Sequence, residues 1–239
     1  MSRIISTKYR SEAVEIMDDF SLKGELLRDT LDKLALINKF LGGNNVTING
    51  LKQLLKNVPK DKTITIVDLG CGGGDILREI ARFGRKAGYK FQLIGIDANK
   101  DATVYAGNIS EEYPEIEFKH MDIFSAEFEE LHFNIVLATL FFHHFKDEEL
   151  IGFLKKLLPK VTYGIIVNDL HRNKSAYKLY QLLCIGINNE MIKNDGLISI
   201  LRGFKREDIQ KISEEINANY QVKWKWAFRF QWIMTPKKN

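Results

Sequence analysis

Apolar positions recur along the chain at two spacings, and the change between them divides it. Up to residue 58 the spacing is helical: Leu22, Leu26, Leu27, Leu31, Leu34, Ile37 and Leu41 fall at three- and four-residue steps and predict one amphipathic helix ended by Gly42 and Gly43. A shorter helix is expected from Ile48 to Lys56, capped by Thr47 and closed by Pro59. From Thr63 onward, short β-branched runs alternate with helical segments. Strands are expected at Ile64 to Leu69, Phe91 to Ile96, Ile116 to Lys119, Phe133 to Leu140 and Tyr163 to Val167. Helices are expected at Asp75 to Gly84, 101–112 and Asp147 to Leu158. Such alternation implies right-handed crossovers and a parallel sheet covered on both faces.

Beyond the fifth strand a long helical stretch is expected from Lys174 to about Gly203, then a helix from Arg206 to Ala218. The chain finishes on a β-rich stretch, Tyr220 to Thr235. There Val222, Trp224, Trp226, Phe228, Phe230 and Trp232 hold the even, apolar positions, and Lys223, Lys225, Arg229 and Gln231 hold odd, polar ones. The stretch is too long for one ordinary strand and is split near Ala227 into two. The aromatic residues Phe141, Phe142, Phe145, Trp224, Trp226 and Trp232 are expected mainly in the core. Residues 1–58 read as a helical cap or a lid, and residues 59–239 as the α/β domain, with a helical insertion at about 172–205.

Composition narrows the picture modestly. A net charge of +4 permits an anionic partner but lacks the density of a dedicated nucleic-acid binder. Cys71 and Cys184 lie far apart and suggest neither a disulfide nor a metal site, which fits a reducing compartment. The N-terminus mixes Arg3, Lys8 and Arg10 with Glu12, Glu15, Asp18 and Asp19, and no stretch reaches signal or membrane-spanning length. A cytoplasmic protein is expected.

The candidate chemistry lies at the carboxyl ends of the expected strands, where ligands of such sheets bind. The first strand runs into Gly70-Cys71-Gly72-Gly73-Gly74, and glycines there let a ligand approach the main chain at a helix start. A phosphate-binding loop would end Gly-Lys-Ser/Thr, whereas this turn ends Gly74-Asp75. A dinucleotide fingerprint would want glycine or alanine at position 75, and a carboxylate there would repel a pyrophosphate. Asp68, just before the turn, suits a ligand carrying positive charge.

Asp68-Leu69-Gly70-Cys71-Gly72-Gly73-Gly74 resembles the Asp/Glu-x-Gly-x-Gly-x-Gly motif of class I S-adenosylmethionine-dependent methyltransferases. The resemblance covers roughly residues 60–235. It implies an α/β, Rossmann-like, doubly wound, mostly parallel seven-stranded sheet with an antiparallel C-terminal edge hairpin, preceded by the helical cap. It implies S-adenosylmethionine as cofactor, leaving S-adenosylhomocysteine. Gly70, Cys71 and Gly72 would lie against the methionine part with Asp68 nearby, Asp97 followed by Ala98 would hold the ribose hydroxyls, Asp122 would accept from the adenine amino group with Ile123 or Met121 lining the adenine, and Thr139 and Leu140 would contact the methionine moiety. The stretches 10–18 and 36–43, with Asp169-Leu170-His171-Arg172, also resemble a bacterial subgroup of small-molecule methyltransferases acting on phenolic or lipid-like products. That favours a small, apolar, hydroxylated acceptor.

Methyl transfer to a phenol needs alignment and removal of a proton, for which histidine is suited near neutral pH. His143, His144 and His171 all lie at strand ends; each could instead serve the fold. His144 is the preferred base, then His171, with His143 also a candidate and Asp169 an orienter, a second base or a helix cap. No metal is expected, although His143, His144, Asp169 and His171 could meet in space. The greasy insertion, with Tyr177, Tyr180, Leu183 and Ile192, suggests an acceptor pocket or a homodimer face. An RNA methyltransferase using Lys223, Lys225, Arg229, Lys237 and Lys238 is the alternative, opposed by the lack of Asn/Asp-Pro-Pro-Tyr/Phe at 138–141. A non-catalytic binding protein of the same fold is the other.

Overall fold

A computed structural model describes residues 5–237; Arg3 and Lys238, invoked above, lie outside the described residues. An extended segment with a short turn at Ile16–Asp18 leads into α1 (Gly24–Phe40) and α2 (Gly43–Leu54). The core then runs β1 (Thr63–Leu69), α3 (Asp75–Ala87), β2 (Lys90–Asp97), α4 (Lys100–Asn108), β3 (Ile116–His120), α5 (Ala126–Glu129), β4 (Phe133–Thr139), α6 (Asp147–Leu157) and β5 (Val161–Leu170). Two helices, α7 (Lys174–Leu183) and α8 (Glu190–Arg202), form the insertion. Then come α9 (Arg206–Glu215), β6 (Asn219–Lys225) and β7 (Arg229–Thr235).

The seven strands form one sheet in the order β3-β2-β1-β4-β5-β7-β6. All pairs are parallel except those made by β7, which runs antiparallel between β5 and β6. Register aligns the carboxyl ends: Leu69 sits opposite both Ile96 and Ala138, and Thr139 opposite Asn168. Chain order reverses between β1 and β4, which opens the crevice where open α/β sheets bind ligands.

Each face of the sheet carries an apolar layer. One joins Val67, Val136, Ile165 and Trp232 to α6 and α9; the other joins Ile66, Leu137 and Ile166 to α2 and α3. The pattern on α3 explains its seat: Ile76, Leu77, Ile80, Ala81 and Gly84 are buried on one side. Gly84 is small because Phe91 packs over it; an added Cβ would lie 2.5 Å from that ring.

Three expectations need correction. The second helix begins at Gly43 rather than Ile48, because Gly42 adopts φ +72° and restarts the helix immediately. Thr47 is therefore interior and meets Thr139 Oγ1 at 3.0 Å instead of capping. The long stretch after β5 is two helices broken at Cys184–Gly186. In the terminal strands the split near Ala227 separates two environments. β6 is the edge, leaving Trp224 and Trp226 exposed, whereas β7 is covered on both faces, so Arg229 and Gln231 are as buried as Phe230 and Trp232. Gln231 Nε2 donates to Val46 O of α2 at 2.6 Å. Arg229 is thus no part of an exposed basic surface for RNA.

Candidate active site

The turn after β1 has the conformation its glycines permit. Gly70, Gly72 and Gly74 have φ of +65°, +48° and +70°. At Gly70 a Cβ would lie 2.2 Å from the Phe141 ring, so the turn and the segment after β4 meet there. Cys71 N donates to Ile96 O at 3.0 Å, pinning the turn to the end of β2. The Cys71 thiol is buried, and burial pushes its pKa well up.

Acidic groups surround this turn. Asp68 is buried with Oδ1 unpartnered, and burial first, then the charges of Asp75 and Asp97, raise its pKa well above the carboxylate range. Asp97 Oδ2 accepts from Gly72 N at 2.9 Å and Oδ1 from Asn99 N at 2.8 Å; burial raises this acid too. Both oxygens retain a lone pair for a further donor. Asp122 Oδ1 accepts from Phe124 N at 2.9 Å, beside buried Met121 and Ile123. Leu140, with φ +53°, donates its N–H to Asn168 O at 2.9 Å and turns the chain away from the end of β4.

These groups line one cavity of about 930 Å³. Asp68, Gly70, Cys71, Gly72, Asp97, Ala98, Asp122, Ile123, Thr139 and Leu140 all contribute to its wall, brought from four strand ends. The residues fit S-adenosylmethionine: open glycine backbone, an unpartnered buried carboxylate at Asp68 for a cationic arm, and a buried acceptor pair at Asp97. The same cavity also has apolar lining from Leu34 and Ile37 of α1, Leu41 just after it, Leu179 and Leu183 of α7, and Ile200 of α8.

The histidines separate. His143 and His144 line the cavity in the turn after β4, with ring centroids 4.3 Å apart. His143 is buried; its Nδ1 meets Asp169 Oδ1 at 2.7 Å, while Nε2 lies unpartnered 3.7 Å from Glu15 Oε1. Asp169 is held below the usual carboxylate range, its burial being outweighed by His143 and by the Leu170 N–H. It accepts from the imidazole rather than capping α7, a task that Asn173 performs. His144 is about a quarter exposed, and its Nδ1 meets Asp18 Oδ1 at 2.7 Å. His171 lies outside the cavity wall: β5 extends to Leu170, and His171 bridges to Phe204 and accepts from Trp224 Nε1 at 3.3 Å.

The sequence reads the segment that closes this site as part of a cap or lid, and gives Glu15 and Asp18 no part in the site. Arg10 fastens it: Nη1 reaches Asp147 at 2.6 Å, Nη2 donates to His143 O at 2.8 Å, and Nε to Arg202 O at 2.7 Å. Asp195, buried in α8, accepts from the N–H groups of Ile16 and Met17, both at 2.9 Å. The strap so held delivers Glu15 and Asp18 to the two histidines. Arg202 Nη1 binds Asp18 Oδ2 at 2.6 Å and lies 3.5 Å from Glu15 Oε1. Burial pushes the Glu15 carboxyl up to about 7, while His144 and Arg202 hold Asp18 far below the usual range despite its partial burial. Glu15, His143 and His144 offer ligand-type atoms within 4.8 Å of one another, with the Arg202 cation already beside them. Arg10, Glu15 and Asp18, three of the five polar residues in the 10–18 stretch, were the available signal, but only a fold that brings residue 15 to residue 143 gives them meaning.

A Rossmann-like sheet, a glycine turn after its first strand and acids at the ends of the next two define an adenosyl-cofactor-binding fold. Residues 66–161 match the family model described as a methyltransferase domain. Among solved structures the chain is similar to the plantazolicin methyltransferase BpumL in complex with S-adenosylhomocysteine, at 16% identity over 89% of each chain and a TM-score of 0.64. It is also similar to the CurJ carbon methyltransferase, at 12% identity over 81% of this chain and 54% of that one, TM-score 0.61. A further neighbour is an S-adenosylmethionine-dependent methyltransferase from Aquifex aeolicus, at 16% identity over 77% and 88%, TM-score 0.53. At these identities the likeness is one of fold. No curated protein matches the chain. The domain match over residues 66–161 and the site together give this chain a methyltransferase domain with S-adenosylmethionine as its methyl donor. Among the described residues no helix is long and apolar enough to cross a membrane.

Proposed function

We propose that this enzyme methylates an oxygen of a small, largely apolar, hydroxylated acceptor, phenol- or lipid-like, with His144 as the general base. The carrying observation is the pair His144 Nδ1 to Asp18 Oδ1 at 2.7 Å on the wall of the cavity. An ionised Asp18 accepts from Nδ1–H, and that tautomer leaves Nε2 as the lone-pair nitrogen. Arg202 holds the second oxygen of Asp18, so the carboxylate is fixed on two sides. The apolar lining from α1, α7 and α8 supports an acceptor with a hydrocarbon body and one polar end directed at His144.

When bound, S-adenosylmethionine supplies a sulfonium-activated methyl group. The chain aligns the acceptor oxygen, excludes water beneath the strap and takes the hydroxyl proton on His144 Nε2 as the oxygen gains the methyl. His143, deeper and tied to Asp169, positions the turn that carries His144. The test is a screen of phenols, alkylresorcinols, quinols and fatty acids with labelled cofactor, beside bulk RNA. With an accepted substrate, His144→Asn lowers kcat about 10²- to 10⁴-fold while S-adenosylhomocysteine affinity holds. Loss of turnover in His171→Ala with His144→Asn active, or label entering only RNA, refutes this reading.

A further inference from the structure

Three arginines are buried in the described structure, and two have a carboxylate. Arg172 pairs with Asp208 at 2.9 Å and Arg202 with Asp18 at 2.6 Å. Arg229 has none. Its Nη2 donates to Asn38 Oδ1 at 2.6 Å, its Nη1 lies 3.5 Å from Asn168 Oδ1, and its Nε is unpartnered. It is 3% exposed and lies on the wall of the cavity. Its hydrogen-bond partners are all neutral amides, and Asp169 and Asp75 act on it only through space; a buried cation without a direct anionic partner is rare, because desolvation is costly unless an anion answers it.

The opposite imbalance lies nearby. Asp68 is buried with an unpartnered oxygen and no cation, and Asp75 is held only by Asn44 Nδ2 at 3.0 Å. Asn44 follows Gly43, whose missing side chain makes room for Arg229: a Cβ there would stand 3.0 Å from the guanidinium carbon. The start of α2 therefore lies between a guanidinium with no ion pair and two carboxyl groups with none, and all three line the same cavity. A zwitterion matches both, and the amino-acid arm of the cofactor is one.

We propose that Arg229 anchors the carboxylate of the cofactor's amino-acid arm, with Asp68 and Asp75 facing its ammonium. This rests on the cofactor and is independent of the acceptor. It gives the C-terminal hairpin, outside the matched stretch 66–161, a part in cofactor binding. The residue is legible only in three dimensions, since by sequence it occupies a polar position of a strand.

The test compares two ligands by calorimetry. S-adenosylhomocysteine carries the amino-acid arm; 5′-methylthioadenosine keeps the adenosine and the sulfur and lacks the arm. Arg229→Gln should weaken S-adenosylhomocysteine about 10- to 100-fold, the range for a charge-assisted contact, and leave methylthioadenosine within twofold. Arg229→Lys should recover part of the difference. Equal loss of both ligands would mean that Arg229 only braces β7 against α1 and α2, and unchanged affinity for both would assign it to the acceptor or the fold; either result overturns the proposal. Should the variants fail to fold, the unaltered protein decides with decarboxylated S-adenosylhomocysteine: a 10- to 100-fold loss supports the anchor, and equal binding ends it.

Discussion

Glu15 gives a prediction whose size and sign follow from its surroundings. The carboxyl is buried, one oxygen accepts from Ser199 Oγ at 2.8 Å, and the other faces His143 Nε2 without a bond. Desolvation outweighs His144 and Arg202 and moves the folded-state value from 4.5 to about 7. Folding thus holds a proton that the unfolded chain has released between pH 4.5 and 7, so stability falls as pH rises through that window. The linkage integral gives a loss of about 2.5 kcal/mol between pH 5 and pH 8.5. Glu15→Gln removes the titration while its amide can donate toward His143 Nε2. Urea denaturation at the two pH values should find the substituted protein gaining about 2.5 kcal/mol on the parent over that interval. Part of the penalty can be relieved by release of the strap alone, which amide exchange at residues 11–18 would register. Parallel pH profiles for the two proteins, with no change in strap exchange, would show that Glu15 is ionised at little cost and that the burial argument is wrong.

Other expectations are sharper in outcome than in size. Asp97→Asn should weaken S-adenosylhomocysteine about 10- to 100-fold by calorimetry, because one accepting oxygen becomes a donor facing donors. Gly70→Ala should abolish cofactor binding and lower Tm, since positive φ and the Phe141 ring both oppose a Cβ; Gly107→Ala in α4, with nothing within 4 Å, should raise stability by up to about 1 kcal/mol. Asp18→Asn should depress kcat more than KM, because His144 loses its ionised partner, and His144→Asn should add little on top of it. Activity should survive exhaustive chelation, the Arg202 guanidinium being already in place beside Glu15.

The fold was legible because its signals are local. β-Branched runs, a glycine turn and apolar steps on α3 each specify their element without help from distant sequence, and the five parallel strands and the hairpin follow. That Asp68, Asp97 and Asp122 come together on one cavity was legible for the same reason: they stand at or near the ends of strands, where topology alone gathers them. What was hidden depends on contacts between distant residues. Arg229 and Gln231 look exposed by alternation, yet α2 covers that face of β7 and hides them. Glu15 and Asp18 look like solvated charges ahead of the first amphipathic helix, and nothing nearby in sequence announces His143, His144 or Arg202 as their partners. His171 was drawn toward the site by its place after a strand; the true strand runs three residues longer than its hydrophobic run, ending at Leu170, with His171 beyond it against Phe204.

The cavity's glycine turn and its apolar lining come from stretches of chain that do not overlap. The strand ends and glycine turn lie within residues 66–161, whereas the apolar lining is supplied by α1 before them and by α7 and α8 after them. The division is not complete, since Leu31 of α1 packs on Gly72 of the turn and Asn38 of α1 holds Arg229. An exchange of α1, α7 and α8 would therefore reshape the apolar wall and carry a cost at the turn, which Leu31→Ala alone should register as weaker S-adenosylhomocysteine binding by calorimetry.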